Sequence, residues 1–107
     1  TALAVSGLPT DKFVFEGFLP KKPGKKTKKL KELKTQQGTI IIYESPYRIV
    51  KTLEDIKEVL GNRQVAVCRE LTKKFEEVIR GKAGDVLEKF REHRPKGEMV
   101  VVVEGSR

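Results

Sequence analysis

The sequence predicts an α/β fold: a single layered domain with a mixed sheet of about five strands, flanked by about four helices. Short apolar runs of strand length recur along the chain, and amphipathic or turn-rich segments separate them. Strands that alternate with helices in this way are typical of a layered α/β domain. The length of 107 residues suits one domain that buries roughly 60–70% of the surface of its unfolded chain.

The first half of the chain contains two predicted helices and two predicted strands. Residues 1–6 are predicted to be helical, and residues 7–11 contain the Gly and Pro of a turn. Aromatic and β-branched residues at 13–18 predict a strand. Residues 25–37 form a weak helical pattern, because like charges three and four residues apart repel each other. Residues 39–43 are apolar on both faces, which predicts a buried strand.

An amphipathic helix is predicted directly after that strand. Ser45 suits the N-cap and Pro46 suits the first helical position. Gly61-Asn62 is a helix end signal. One continuous apolar stripe with helical spacing runs between these signals: Ile49, Leu53, Ile56 and Leu60.

Three more strands and a short helix complete the predicted domain. Residues 64–68 and 99–103 are apolar runs typical of buried strands. Residues 75–80 fit a strand or a helix, and the following Gly81 favours the strand. A short helix is predicted at 85–93 because its apolar residues follow a helical spacing and Pro95 comes next.

The net charge of +8 is concentrated in residues 21–37, a lysine-rich loop and weak helix. This segment holds eight lysines and one glutamate, a local charge of +7, which leaves +1 for the rest of the chain. Such a cluster can supply the salt-dependent part of nucleic-acid affinity. It can equally be a solvated surface, and charge alone favours neither interpretation.

Composition excludes several classes of protein. Cys68 is the single cysteine, so a disulfide framework is excluded and a reducing, cytoplasmic location is predicted. No apolar stretch approaches the roughly 20 residues of a membrane span. The chain begins at Thr1 within an apolar pattern, and we expect it to be a fragment of a longer protein.

Polar residues follow three of the buried strands. Glu44, Glu70 and Glu104 each come at a strand end, and parallel neighbouring strands would gather them at one edge, as a metal or acid/base site requires. No histidine partner or Asp-rich motif accompanies them, so we predict no metal. A strand that ends in polar residues before a helix, as at 43–48, is a common position for a ligand site.

Residues 69–74 place cations, an acid and a hydroxyl in a predicted loop after a buried strand. Such a loop could hold a phosphate or a ribose. Ordinary surface ion pairs are the alternative, and spacing alone favours them modestly.

Six short motifs together resemble one family. They are Ala-x-x-x-Ser-Gly-Leu-Pro-Thr-Asp at 2–11, Phe-x-Phe-Glu-Gly-Phe-Leu-Pro at 13–20, Tyr-Glu-Ser-Pro-x-Arg at 43–48, Arg-Glu-Leu-Thr-Lys at 69–73, Phe-Glu-Glu at 75–77 and Gly-Glu at 97–98. In this order they resemble the bacterial small-subunit ribosomal RNA cytidine-2′-O-methyltransferases of the tetrapyrrole methylase superfamily. The chain departs from that pattern at Tyr47, where the family usually has His, and at Cys68, where Ala is common.

The resemblance implies a two-domain enzyme that binds S-adenosylmethionine in the cleft between its domains. Residues 1–107 would be the C-terminal domain, inactive without an N-terminal domain that this chain does not contain, and the enzyme would form a homodimer. The resemblance assigns no catalytic residue. The residues implied to face the cofactor are Tyr43, Glu44, Ser45, Pro46, Glu70, Leu71 and Thr72. Two groups of residues are expected to contact ribosomal RNA. The lysine cluster contributes Lys25, Lys26, Lys28 and Lys29, and the resemblance implies Arg48, Arg69, Lys73 and Lys74.

Two alternatives remain open. The lysine cluster would also suit a non-catalytic RNA-binding module, although no aromatic residues interleave with the lysines as in the RNP1 motif. The second alternative is a related enzyme that methylates a small tetrapyrrole. The excess of lysine argues mildly against this alternative.

Overall fold

A computed structural model describes residues 12–72, 75–93 and 97–106 of the chain. The described residues form five strands and three helices. In chain order these are β1 (Phe13–Phe18), α1 (Pro23–Leu33), β2 (Thr39–Glu44), α2 (Ile49–Val59), β3 (Gln64–Thr72), β4 (Phe75–Lys82), α3 (Ala83–Glu92) and β5 (Met99–Val103).

The strands form one mixed sheet in the order β1-β2-β5-β3-β4. β1 pairs with β2 in parallel, whereas β5 is antiparallel to both of its neighbours and β3 is antiparallel to β4. The predicted α/β domain with a mixed sheet of about five strands is therefore confirmed. The fourth predicted helix, residues 1–6, lies outside the described residues, as does the predicted turn at 7–11.

The hydrophobic core lies between one face of the sheet and the three helices. Alternate residues of β2 and β5 contribute to it because successive side chains of a strand point to opposite faces. Each helix adds its apolar stripe, and the predicted stripe of α2 is confirmed. The fully buried large side chains of this core include Leu30, Ile40, Ile42, Ile49, Leu53, Ile56, Phe90 and Val101.

The helices and strands differ from the predictions mainly at their ends. α2 begins at Ile49 instead of directly after Ser45, because a turn at residues 46–48 comes first, with the Arg48 N–H donating to the Ser45 carbonyl at 3.1 Å. Ser45 is therefore not the N-cap, and Pro46 is not the first helical residue. α1 begins at Pro23, which suits the first helical turn, and ends four residues earlier than predicted.

The predicted loop at residues 69–74 is wrong for residues 69–72. β3 continues to Thr72 and forms a hairpin with β4, so Arg69 to Thr72 belong to a paired strand. None of the described helices is long and apolar enough to cross a membrane.

Candidate functional site

The candidate site lies at the sheet edge where β2 and β3 end and β5 begins. The strand register places both Glu44 and Arg69 opposite Met99, the first residue of β5. Glu104 follows the last residue of β5 and therefore lies at the opposite edge. The expectation that three glutamates meet at one edge is wrong, because β5 runs antiparallel between β2 and β3. Among the described residues, no group of His, Cys, Asp or Glu side chains has the arrangement to hold a metal ion.

Glu44 is a buried anchor for the turn that follows β2. Its side chain is 4% exposed, and both carboxylate oxygens accept hydrogen bonds. Oε1 accepts from the Ser45 backbone N–H at 2.8 Å and from Arg48 Nε at 3.2 Å. Oε2 accepts from the hydroxyl of Thr52 on α2 at 2.5 Å. The turn between β2 and α2 is thus fixed at its beginning, at its end and against the helix.

Lys26 extends this polar network from α2 to α1. Its ammonium group donates to the Thr52 hydroxyl at 2.8 Å and pairs with Asp55 at 3.0 Å. Lys51 pairs with the other carboxylate oxygen of Asp55 at 3.2 Å. Thr52 is fully buried and Lys26 is buried, so the network of Lys26, Thr52, Glu44 and Asp55 is largely withdrawn from solvent. We refer to these four residues as the buried polar network.

Sequence reasoning missed this network, although one signal for it was present. Lys26, Leu30 and Leu33 follow each other at intervals of four and three, the spacing of one helix face, and all three are buried. Thr52 lies in the same way within the apolar stripe of α2, between Ile49 and Ile56. A lysine in phase with core leucines indicates a paired, buried ammonium group, because an unpaired buried charge is costly.

The turn itself presents several groups that the buried polar network does not use. Ser45 Oγ is buried and has no hydrogen-bond partner among the described residues. No side chain in the described part of the chain caps the start of α2, where the first backbone N–H groups of a helix lack partners within the helix. The ring of Tyr43 is partly exposed, and that of Tyr47 is 86% exposed.

The positions in β3 behave differently from those of the turn. Arg69 pairs across the hairpin with Glu77 on β4, with 2.8 Å between Nη2 and Oε2, and its side chain is 11% exposed. The backbone of residues 70–72 continues β3 past the level of Met99. Lys73 and Lys74 lie outside the described residues.

The four lysines of α1 that were assigned to RNA occupy different environments. Lys25 and Lys28 are exposed, whereas Lys26 belongs to the buried polar network. Lys29 forms ion pairs at 3.4 Å with Glu16 of β1 and with Glu32. Hydrogen bonding and charge from Glu16, then from Glu32, raise the pKa of Lys29 above its ordinary value of 10.5. Exposure therefore favours Lys25 and Lys28 as cations that can contact an external anion.

Comparisons with known proteins agree with the motifs. The family model described as Tetrapyrrole (Corrin/Porphyrin) Methylases matches residues 1–87. The chain is 47% identical over 106 residues to the ribosomal RNA small subunit methyltransferase I of Halalkalibacterium halodurans, and 48% identical over 106 residues to that of Bacillus subtilis. It is 45% identical over 107 residues to the protein of the same name from Thermotoga maritima. Each alignment covers 99% of this chain but 37%, 36% and 47% of the respective relative, so the chain spans less than half the length of these proteins.

Solved structures show the same fold. The methyltransferase CobJ matches with a TM-score of 0.68 and 20% identity, over 98% of this chain and 46% of CobJ. The cobalt precorrin-4 methyltransferase CbiF matches with a TM-score of 0.64 and 16% identity, over 96% of this chain and 46% of CbiF. The structural match establishes the fold, and the family model together with the identity to longer relatives establishes descent. The chain therefore belongs to the tetrapyrrole (corrin/porphyrin) methylase family.

Proposed function

We propose that this chain is the C-terminal domain of an S-adenosylmethionine-dependent ribosomal RNA ribose 2′-O-methyltransferase. In this role it completes the cofactor cleft, faces the RNA and is inactive alone. The observation that carries the proposal is the turn at residues 43–48, which the buried polar network fixes at one edge of the sheet. The names of the 45–48% identical relatives support ribosomal RNA as the substrate.

The groups on the turn fit part of such a cofactor. S-adenosylmethionine combines a nucleoside with an amino-acid group and carries its transferable methyl on a sulfonium. Ser45 Oγ, which has no partner among the described residues, and the uncapped N–H groups of α2 can donate hydrogen bonds to ligand oxygens. Glu44 acts indirectly in this proposal, because both its oxygens hold the turn in place.

Methyl transfer to a ribose hydroxyl is an in-line displacement. Its main requirements are alignment of the reacting groups and an acceptor for the hydroxyl proton. A fixed turn meets the first requirement, because a small misplacement of a bound group can cost a large factor in rate. We assign no proton acceptor to this chain.

Exposed cations of α1 and of the turn would supply electrostatic affinity for RNA. Lys25 and Lys28 are exposed, and Arg48 is 41% exposed while it pairs with Glu44. The buried position of Lys26 gives it a structural role in this proposal instead of a phosphate contact. Phosphate contacts of this kind set affinity and register, and contacts to unpaired bases set sequence preference.

A chimaera tests the proposal. The 107-residue chain would replace the matching segment of the Bacillus subtilis relative, with which it shares 48% identity. We expect the isolated chain to show negligible S-adenosylmethionine binding in calorimetry, and the chimaera to bind the cofactor and to methylate small-subunit ribosomal RNA. Tight stoichiometric binding of the cofactor by the isolated chain would refute the claim that half of the site lies elsewhere.

A matched pair of variants sharpens this experiment. Ser45→Ala in the chimaera should weaken cofactor binding, because it removes the hydroxyl on the turn. Thr35→Ala removes an exposed hydroxyl after α1 and should leave binding unchanged. Equal effects of the two substitutions would contradict a cofactor role for the turn.

The non-catalytic RNA-binding module remains the second candidate because of one observation. β1 and β2 expose aromatic rings, which answers the objection that no aromatic residues accompany the lysines. A chimaera that binds RNA and folds but neither binds cofactor nor methylates would favour this candidate. Homodimerisation also remains a proposal, which sedimentation of the chimaera would test.

A further inference from the structure

The sheet face opposite the helices exposes a cluster of aromatic rings at its β1 edge. Phe13, Phe15 and Phe18 are 54%, 57% and 60% exposed, and Tyr43 of β2 is 37% exposed. The Tyr43 ring contacts Phe15 and Phe18 edge to face, with centroids 5.2 and 5.5 Å apart. We call these four residues the aromatic face. Large aromatic side chains with this exposure in one cluster indicate an interaction surface.

A bulge in β1 keeps the aromatic face together. The strand register shifts between Phe15 and Gly17, so Glu16 is the extra residue and Phe18 lies opposite Tyr43. Gly17 has a φ of +74°, a conformation that favours glycine. With a regular strand, Phe18 would point toward the helices. The bulge instead places it beside Tyr43, while Glu16 points to the helix side and pairs with Lys29 of α1.

Rings make up the exposed apolar surface at this edge of the sheet. The neighbouring residues Ile41 and Val102, which point to the same face, are 8% and 0% exposed. Across β1, β2 and β5, the side chains on this face are uncharged. The available surface is therefore a set of rings in edge-to-face contact beside buried aliphatic side chains.

The chain segments on both sides of β1, the strand that carries three of these rings, are cationic. Lys12 directly precedes Phe13, and Lys21 and Lys22 follow Phe18 within at most about 14 Å of chain. All three are exposed. Among the described residues, the nearby acids are already engaged, since Glu16 pairs with Lys29 and Glu44 belongs to the buried polar network. A ring cluster on a strand that is flanked by exposed lysines matches a ligand that combines flat faces with negative charge.

We infer that the aromatic face stacks unpaired bases of RNA while Lys12, Lys21 and Lys22 contact the adjacent phosphates. The inference rests on the proposed function, which supplies ribosomal RNA as the ligand. Proteins that recognise single-stranded RNA commonly stack splayed bases on aromatic side chains, including those on an open sheet face. Stacking tolerates any base because every base has a π-face, so the aromatic face would hold the strand without defining its sequence.

The test separates stacking from electrostatic attraction. Binding of the chain to a fluorescent 12-nucleotide single-stranded RNA is compared with binding to an abasic strand of the same length. Phe15→Ala and Phe18→Ala should each weaken RNA binding at least about fivefold and leave abasic binding unchanged. Replacing Lys21 and Lys22 with Gln should weaken binding to the RNA and to the abasic strand alike. Phe18→Trp should retain affinity, and RNA but not the abasic strand should quench its fluorescence.

Other outcomes would contradict a stacking role for the aromatic face. If wild-type chain binds RNA and the Phe variants bind equally well, the aromatic face is not a stacking surface, although the proposed function survives. If wild-type chain binds no RNA, the inference fails, whereas the proposed function is still decided by cofactor binding and methylation in the chimaera. If the Phe variants change a self-associating chain into a monomer without loss of RNA affinity, the face is a protein interface. Thr35→Ala, which removes an exposed hydroxyl after α1 and outside the face, should have no effect on RNA binding. A loss of RNA binding in Tyr47→Ala but not in Phe15→Ala would place stacking on the turn and contradict the inference.

Discussion

Lysine residues on the two sides of α1 lie in different environments and have different roles. On the inner side Lys26 lies in line with Leu30 and Leu33, is buried, and joins α1 to Thr52 and Asp55 of α2. On the outer side Lys25 and Lys28 are exposed. The free-energy cost of burying a charge explains the difference. A buried ammonium group needs ion-pair and hydrogen-bond partners within the protein, whereas an exposed one is solvated by water. Net charge alone therefore says little about which lysines are available to a polyanion.

The largest expected effect is on the inner side. Lys26→Ala removes the cation from a buried pair and leaves the Asp55 carboxylate with Lys51 alone, so we expect a loss of about 3 kcal/mol in the free energy of unfolding. Lys25→Ala, one residue away on the exposed side, should change the free energy of unfolding by less than about 0.5 kcal/mol. Urea denaturation of both variants measures the difference. Equal stabilities would show that the burial of Lys26 has no energetic consequence.

Thr52 should show a smaller effect that depends on its hydroxyl. Thr52→Val keeps the shape of the side chain but removes the donor to Glu44 and the acceptor for Lys26, so we expect a loss of about 1–3 kcal/mol. Thr52→Ser retains the hydroxyl and should lose less than Val. Because Thr52 and Lys26 are in direct contact, the double variant should lose less than the sum of the single variants. Additive losses would mean that the two residues act independently.

The outer side should determine the salt dependence of RNA binding without affecting stability. Replacing Lys25 and Lys28 with Gln should reduce the slope of log affinity against log salt by about 1.4 for single-stranded RNA, if each lysine makes one phosphate contact. Lys57→Gln with Lys89→Gln removes the same charge from exposed positions on α2 and α3 and serves as the control. An equal change of slope in the control would show that net charge, and not the position of the lysines, governs binding.

The elements with strong apolar patterns could be predicted from the sequence. β2 and β5 were placed within one residue, and the buried stripe of α2 was assigned correctly, because local periodicity determines both. The start of α2 was missed by three residues. The capping signals at Ser45 and Pro46 are local, whereas the turn that replaces them depends on the Glu44 carboxylate, which α2 itself helps to hold.

The candidate site was less predictable, because its contacts join distant parts of the chain. The hydrogen bond from Lys26 to Thr52 depends on how α1 packs against α2, and sequence spacing within one helix does not define that packing. The position of Phe18 depends on the bulge at Glu16, which becomes visible only when the pairing of β1 with β2 is known. The antiparallel direction of β5 separates Glu104 from Glu44 in the same way.

The smallest expected effect concerns Lys29, which lies between the two sides of α1 and pairs with Glu16 of β1. Glu16 and then Glu32 raise the pKa of Lys29 above 10.5 in the folded chain. A group with a raised folded pKa contributes stability that is fully present below its unfolded pKa and is lost as the pH rises through the folded pKa. The stability difference between wild type and Lys29→Gln should therefore stay constant from pH 7 to pH 9 and shrink above pH 10.5. Lys31→Gln, which removes a charge of α1 but not the contact to Glu16, is the control. A difference for Lys29→Gln that is already lost between pH 7 and pH 9 would show that the ion pair with Glu16 is not its source.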